Sequence, residues 1–151
     1  MLIRSVTKEE RLQSAQLLTI ESGDLTISAA DDAIHCDYTL QIGAEGTDGP
    51  AISITDCDEG LEAAALHVAS GDIRIRASDD CLNAANSDLS GFDFSMDISG
   101  GTISAYTTDG DGFDSNGSMT ISGGTPPEKP DGGTPPERPD NASEPPEPGN
   151  L

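Results

Sequence analysis

The chain has 151 residues, 28 of them acidic and seven basic, for a formal net charge of −21. The length fits one domain, and the charge excludes unaided binding to nucleic acid, whose phosphates need Lys and Arg to displace counterions. It also argues against an anionic membrane surface, no apolar run approaches the roughly 18 residues of a spanning helix, and aromatics at 3% without Trp exclude a core built on large rings.

Residues 1–22 are neutral, with Arg4, Lys8 and Arg11 against Glu9, Glu10 and Glu21. Thr7 followed by Glu10 fits a capping box. The segment therefore predicts a short helical cap, with Leu12, Ala15 and Leu18 on one face, running into a first strand. No apolar secretory stretch follows Arg4, so no signal peptide is visible.

Residues 23–125 hold 19 acids against only Arg74 and Arg76, and a single proline, Pro50. They also repeat. Gly23 to His35 aligns without gaps to Gly71 to Asn83. A looser copy runs from Ile52 to Glu62, and a fourth from Gly101 through Asp109-Gly110-Asp111-Gly112-Phe113-Asp114. Each copy is a turn, a short alternating strand, an acidic pair and one apolar residue. The closing residues Ile34, Leu61, Leu82 and Phe113 are 27, 21 and 31 positions apart.

Such periods mark a solenoid, here an all-β, right-handed, single-stranded parallel β-helix of four to five coils. Alternation turns Leu25, Ile27, Ile52, Ile54, Ile73, Ile75, Ile98 and Ile103 inward, and Thr26, Ser53, Arg74 and Ser104 outward. Second strands are expected at Thr39–Ile42, Leu66–Val68 and Met119–Ile121. Ladders of small aliphatics, one coil about 4.8 Å above the next, fill such a lumen without aromatic rings. A β-sandwich would alternate too, but it does not predict an acidic pair at one phase of every repeat.

Stacking brings Asp31/Asp32, Asp58/Glu59, Asp79/Asp80 and Asp109/Asp111 to one corner, with Glu62, Asn83, Asp114 and Asn116 nearby. Carboxylates that close repel by several kcal/mol at an effective dielectric near 20. Ca²⁺, which takes six to eight oxygen ligands, would offset this. A solvated edge of Asp and Asn turns is the alternative. Asp109 does not open an EF-hand, because Asp114 and Thr120 occupy the places of its sixth-position Gly and twelfth-position Glu. Cys36, Cys57, Cys81, His35 and His67 lack zinc spacing. Cys57 and Cys81 align with Ala30 and Ala33 and read as small buried residues. His35 and Asn83 read as turn residues or as part of an outer binding face, and His67 as a surface residue.

Residues 126–151 carry nine of the ten prolines and a balance of −4, and from Gly123 a nine-residue unit, Gly-Gly-Thr-Pro-Pro-Glu-Lys-Pro-Asp, occurs twice with Arg for Lys. Proline lacks the backbone donor that a packed element needs. A disordered, polyproline-like linker is expected, or a peptide ligand for a partner domain.

The motifs Asp31-Asp32-Ala33-Ile34-His35, Glu59-Gly60-Leu61-Glu62, Asp79-Asp80-Cys81-Leu82-Asn83 and Asp114-Ser115-Asn116-Gly117, beside their Gly-x-Ile-x-Ile strands, resemble the bacterial calcium-containing, carbohydrate-binding β-helix family, formerly a domain of unknown function. The resemblance covers about residues 17–125. It implies pectate-lyase-like topology, binding of acidic polysaccharide such as polygalacturonate, and an extracellular, cell-surface or spore-coat setting. The chain departs from the family in its neutral start, in Ala33 and Cys81 at the usual Gly, and in the prolines after Thr125. These departures imply a small or truncated solenoid whose ends need a cap or partner.

Lyase chemistry needs a base within reach of the proton. The folded region has no Lys, and Arg74 and Arg76 lie side by side on one outer face. They either offset neighbouring acid or, with His35, grip the carboxylates of a sugar, as a guanidinium does bidentately. A non-catalytic, calcium-dependent binder of acidic polysaccharide is expected. The alternatives are a coat or surface protein tethered by its proline tail, and a pectate-lyase-like enzyme.

Overall fold

A computed structural model describes residues 12–14 and 16–125. Its twelve strands are β1 (Leu12–Ser14), β2 (Leu17–Ile20), β3 (Asp24–Ser28), β4 (Ile34–Ile42), β5 (Ala51–Asp56), β6 (Leu61–Val68), β7 (Asp72–Ala77), β8 (Leu82–Ala84), β9 (Ser95–Ile98), β10 (Thr102–Thr107), β11 (Phe113–Ser115) and β12 (Ser118–Ile121). Every strand pairing is parallel. Together they form a parallel β-solenoid of about four turns, without helix among the described residues.

One sheet has the order β10-β7-β5-β3. The other has two arms. Leu12, Ile34, Leu61, Leu82 and Phe113 stack along the first arm, through β1, β4, β6, β8 and β11. Ile20, Ile42, Val68, Ile98 and Ile121 stack along the second, through β2, β4, β6, β9 and β12. Each coil thus runs from the four-stranded sheet round an acidic corner, along both arms and back.

The lumen is aliphatic. Leu25, Ile52, Ile73 and Ile103 form one ladder, and Ile27, Ile54, Ile75 and Ala105 the next. Of the residues expected to point inward, all are buried except Ile103, which is partly buried in the last coil. Each such side chain contributes about 1.5–3 kcal/mol on burial. Ile98 belongs to the second arm rather than to the strand of Ile103.

Two local expectations are overturned. Leu12 and Leu18 do not share a helix face; they lie on β1 and β2 and pack against the core, because β4 offers them parallel ladder partners that a helix would leave unpaired. Ala15 and the Thr7–Glu10 box lie outside the described residues, as do 126–151, for which the disordered tail was expected. Cys57 stacks on Ala29 and Ala77, not on Ala30, because Thr55 is an extra residue relative to both neighbouring strands. All three are buried, so the expectation of a small interior residue stands.

Gly60 shows how tight the corner is. A Cβ there would lie 2.3 Å from the Cys81 carbonyl oxygen and 2.6 Å from Ile75 Cγ2. Ala33 and Cys81, at the same level of their coils, are wholly buried.

Candidate acidic corner and adjoining ledge

The corner follows the end of each strand of the four-stranded sheet. Backbone bonds carry it from coil to coil: Asp58 donates to the Asp31 carbonyl, Asp79 to that of Asp58, Ala33 to that of Glu59, Gly60 to that of Asp80, and Cys81 to that of Asp111. Asp32, Glu59, Asp80 and Asp111 therefore stand in one column, with Asp31, Asp58 and Asp79 in an exposed column beside them. A third column, on the first arm, is His35, Glu62, Asn83 and Asp114.

Two expected members fall elsewhere. Gly110, not Asp109, takes the level of Asp79, and a Cβ on it would lie 2.6 Å from carboxylate oxygens of both Asp79 and Asp80. Asp109 is one residue earlier, beside the Thr108 hydroxyl at 3.3 Å. Asn116 is exposed beyond β11, on the turn to β12.

The two ends of the corner differ in electrostatics. At the first coils His35 Nδ1 lies 2.6 Å from Glu62 Oε2 and 3.2 Å from Asp32 Oδ2, and Nε2 lies 3.0 Å from Asp37 Oδ1. The bonds to Asp32 and Glu62 raise its pKa to about 10 against the lowering effect of burial. Asp32, His35 and Glu62 are close enough to ligate one ion. A protonated ring, however, offers no lone pair, and it is itself the cation these acids need. With both nitrogens on carboxylates, His35 has none left for a sugar.

The later coils have no such cation. Ion pairs among the described residues reach Asp32, Asp37, Glu62, Asp72 and Asp97, and none reaches Asp79, Asp80, Asp111 or Asp114. Burial raises the Asp80 pKa, and the charges of Asp79, Asp114 and Asp111 raise it further, against a 2.7 Å bond from the Asp111 backbone N–H. Glu59 rises to about 7, first through burial and then through Glu62, Asp32 and Asp80, although Asn83 Nδ2 donates to its Oε2 at 2.9 Å. Asn83 is buried, and its Oδ1 meets no donor. Asn83, Asp80, Asp111 and Asp114 offer oxygen atoms only, a chemistry of hard divalent cations rather than zinc, but among the described residues only Asp32, His35 and Glu62 bring three ligand atoms within 4.8 Å of one another.

Beside the corner, on the outer face of the four-stranded sheet, lies a shallow depression lined by Asp56, Arg76, Ser78, Tyr106 and Thr108. Arg76 and Tyr106 are register partners, and the guanidinium sits 4.7 Å from the ring centroid. Arg74, on the same face, bonds Asp72 Oδ2 at 2.9 Å, so it offsets neighbouring acid. Tyr106 was not singled out from sequence. Its signal was phase: it precedes Asp109 by three residues, as Arg76 precedes Asp79.

Cys36, Cys57 and Cys81 are free and buried. Burial pushes Cys57 up to about 12 and also raises Cys81, so neither offers a nucleophilic thiolate. His67 is half-exposed, 3.4 Å from Asp97 Oδ2. No family model, no curated protein and no solved structure matches the chain.

Proposed function

We propose that this solenoid is a non-catalytic module that binds acidic polysaccharide, with Ca²⁺ held at the later end of its acidic corner. The observation that carries the reading is the buried Asn83 carbonyl oxygen, without a donor, one register step from Asp114 and beside a column of acids. A cation satisfies such an acceptor, and it also lowers the repulsion among Asp80, Asp111 and Asp114. Open coordination positions on that ion would then accept ligand carboxylates, as Ca²⁺ readily does with six to eight oxygens.

The Arg76–Tyr106 ledge supports the same ligand class. A guanidinium pairs with a uronate carboxylate, and an exposed tyrosine ring gives a sugar ring an apolar face. The resemblance of the acidic motifs to the calcium-containing carbohydrate-binding β-helices points the same way, and with it to an extracellular, cell-surface or spore-surface setting.

The test is calorimetric titration of polygalacturonate into the full chain, with Ca²⁺ and with excess chelator. Binding should need Ca²⁺ and weaken at least tenfold in Asp111→Asn/Asp114→Asn. Equal binding in chelator would overturn the reading.

A further inference from the structure

Of the chain's five aromatic residues, three meet on the outer wall of the solenoid, where one arm passes into the other. Tyr38 and Phe92 pack edge to face with ring centroids 6.0 Å apart, and Phe92 and Phe94 are tilted at 59° with centroids 5.6 Å apart. None of the three belongs to the interior cluster; Tyr38 is exposed, and the two phenylalanines are half-buried. The loop that carries them, 85–94, is an insertion: only Asp37 and Tyr38 separate the arms in β4, and only Ala64 in β6. It folds back over two coils, since Asn86 Nδ2 donates to the Asp37 carbonyl oxygen at 3.0 Å. Ala64, in the coil it crosses, is wholly buried without being part of the interior cluster. The loop's acids, Asp88 and Asp93, are exposed, and no ion pair among the described residues reaches either.

Tilted aromatic rings beside unpaired carboxylates suit a proline-rich segment that bears a cation: proline packs on the rings and Lys or Arg pairs with the acid. This chain carries such a segment. In 126–151, which lie outside the described residues, the only cations are Lys129 and Arg138, and each stands in a Pro-Pro-Glu-Lys-Pro or Pro-Pro-Glu-Arg-Pro run. Reach selects the second run. Ser118 N donates to the Phe94 carbonyl and Thr125 N to that of Gly101. Thr125 therefore leaves the solenoid over Gly101, seven positions and up to about 24 Å of extended chain from Phe94. Lys129 comes only four positions after Thr125, about 12 Å in polyproline geometry, whereas Arg138 comes thirteen positions after it, about 40 Å.

We propose that the proline unit at 134–139 docks on the Tyr38–Phe92–Phe94 patch of its own chain, with Arg138 paired to the acids of the 85–94 loop. The prolines supply the apolar contact, and their restricted backbone leaves little freedom to lose on docking. The guanidinium supplies the charge that Asp88 and Asp93 lack, so the contact weakens as salt screens it. It lies on the wall of the solenoid and does not depend on the polysaccharide reading.

A nitroxide on Gly133→Cys tests this by magnetic resonance in the full chain, because the three native cysteines are buried. The amides of 88–94 should broaden at every protein concentration, and the broadening should fade as NaCl is raised. It should be lost in Arg138→Glu, with the rest of the amide spectrum unchanged, and in Phe92→Ser. A nitroxide-bearing chain mixed with an isotope-labelled chain lacking the nitroxide should broaden nothing in the latter. Absence of broadening at 88–94, broadening between chains in the mixture, or broadening kept in Arg138→Glu would each overturn the proposal. So would shifts of the three rings on adding polygalacturonate that are equal in wild type and Arg138→Glu, which would make the patch a sugar subsite.

Discussion

Asn83 donates its amide nitrogen to Glu59 Oε2 at 2.9 Å, while its own carbonyl oxygen is buried without a donor. The two residues occupy neighbouring coils, Glu59 at the corner and Asn83 on β8. They lie between an end of the acidic corner where His35 pairs with Asp32 and Glu62 and an end where no ion pair among the described residues reaches Asp79, Asp80, Asp111 or Asp114.

Calcium should therefore raise the melting temperature, and the rise should depend on the later coils. At a Ca²⁺ concentration 100 times Kd the gain is about 2.7 kcal/mol. Scanning calorimetry should find most of it lost in Asp111→Asn/Asp114→Asn and in Asn83→Leu. An equal calcium effect in all variants would remove these residues from the site.

His35 predicts a pH dependence of stability. Its folded pKa is raised to about 10 from an ordinary 6.5, so its stabilisation is complete below about 6.5 and is lost as pH rises through about 10. His35→Gln should cost about 3 kcal/mol near neutral pH, because Asp32 and Glu62 lose their cation. The variant's stability should change less than the wild type's between those pH values, as read from urea midpoints.

Glu59 is raised in the same direction, to about 7 from 4.5. A raised carboxyl favours folding while protonated, so this contribution is full below about 4.5 and lost as pH rises through about 7. Glu59→Gln keeps an acceptor for Asn83 and removes the buried charge. It should stabilise by on the order of 1 kcal/mol at pH 8, after allowance for screening, and the difference should vanish at pH 4. A destabilised variant at pH 8 would show that Glu59 is paired with something other than Asn83.

Leu82 tests the ladder. It is fully buried between Leu61 and Phe113, and Leu82→Ala should cost about 2–5 kcal/mol. Phe113→Ala, in the partly buried last coil, should cost less. Equal losses would place Phe113 in a closed interior.

The ledge has its own prediction. Arg76→Gln and Tyr106→Ala should each weaken polygalacturonate binding about tenfold or more, while leaving the calcium-dependent rise in melting temperature intact. Arg74→Gln, which only frees Asp72, should have a smaller effect. If Arg74→Gln is the more damaging, the sugar lies along a different part of the face.

Periodicity made the solenoid legible. When coils stack in phase, each inward position repeats along the chain, so Leu25, Ile52 and Ile73, or Ile34, Leu61 and Leu82, reveal their ladders without any knowledge of distant contacts. The acidic column was legible for the same reason. What depends on an unequal number of residues between coils was not. The bulge at Thr55 moved Cys57 to Ala29, the extra residues around Gly110 moved Asp109 off its column, and the edge of β4 drew Leu12 and Leu18 into strands despite a helical pattern. The bond from Asn83 to Glu59, the approach of Glu62 to His35 and the seating of Arg76 over Tyr106 are likewise contacts between coils. The amino-acid sequence alone determined which residues face the lumen and that acid gathers at one corner, because those follow from phase. Only the tertiary structure decided which carboxylates the protein itself neutralises and that Arg76 sits over Tyr106, because those depend on the stacking partner and not on the repeat.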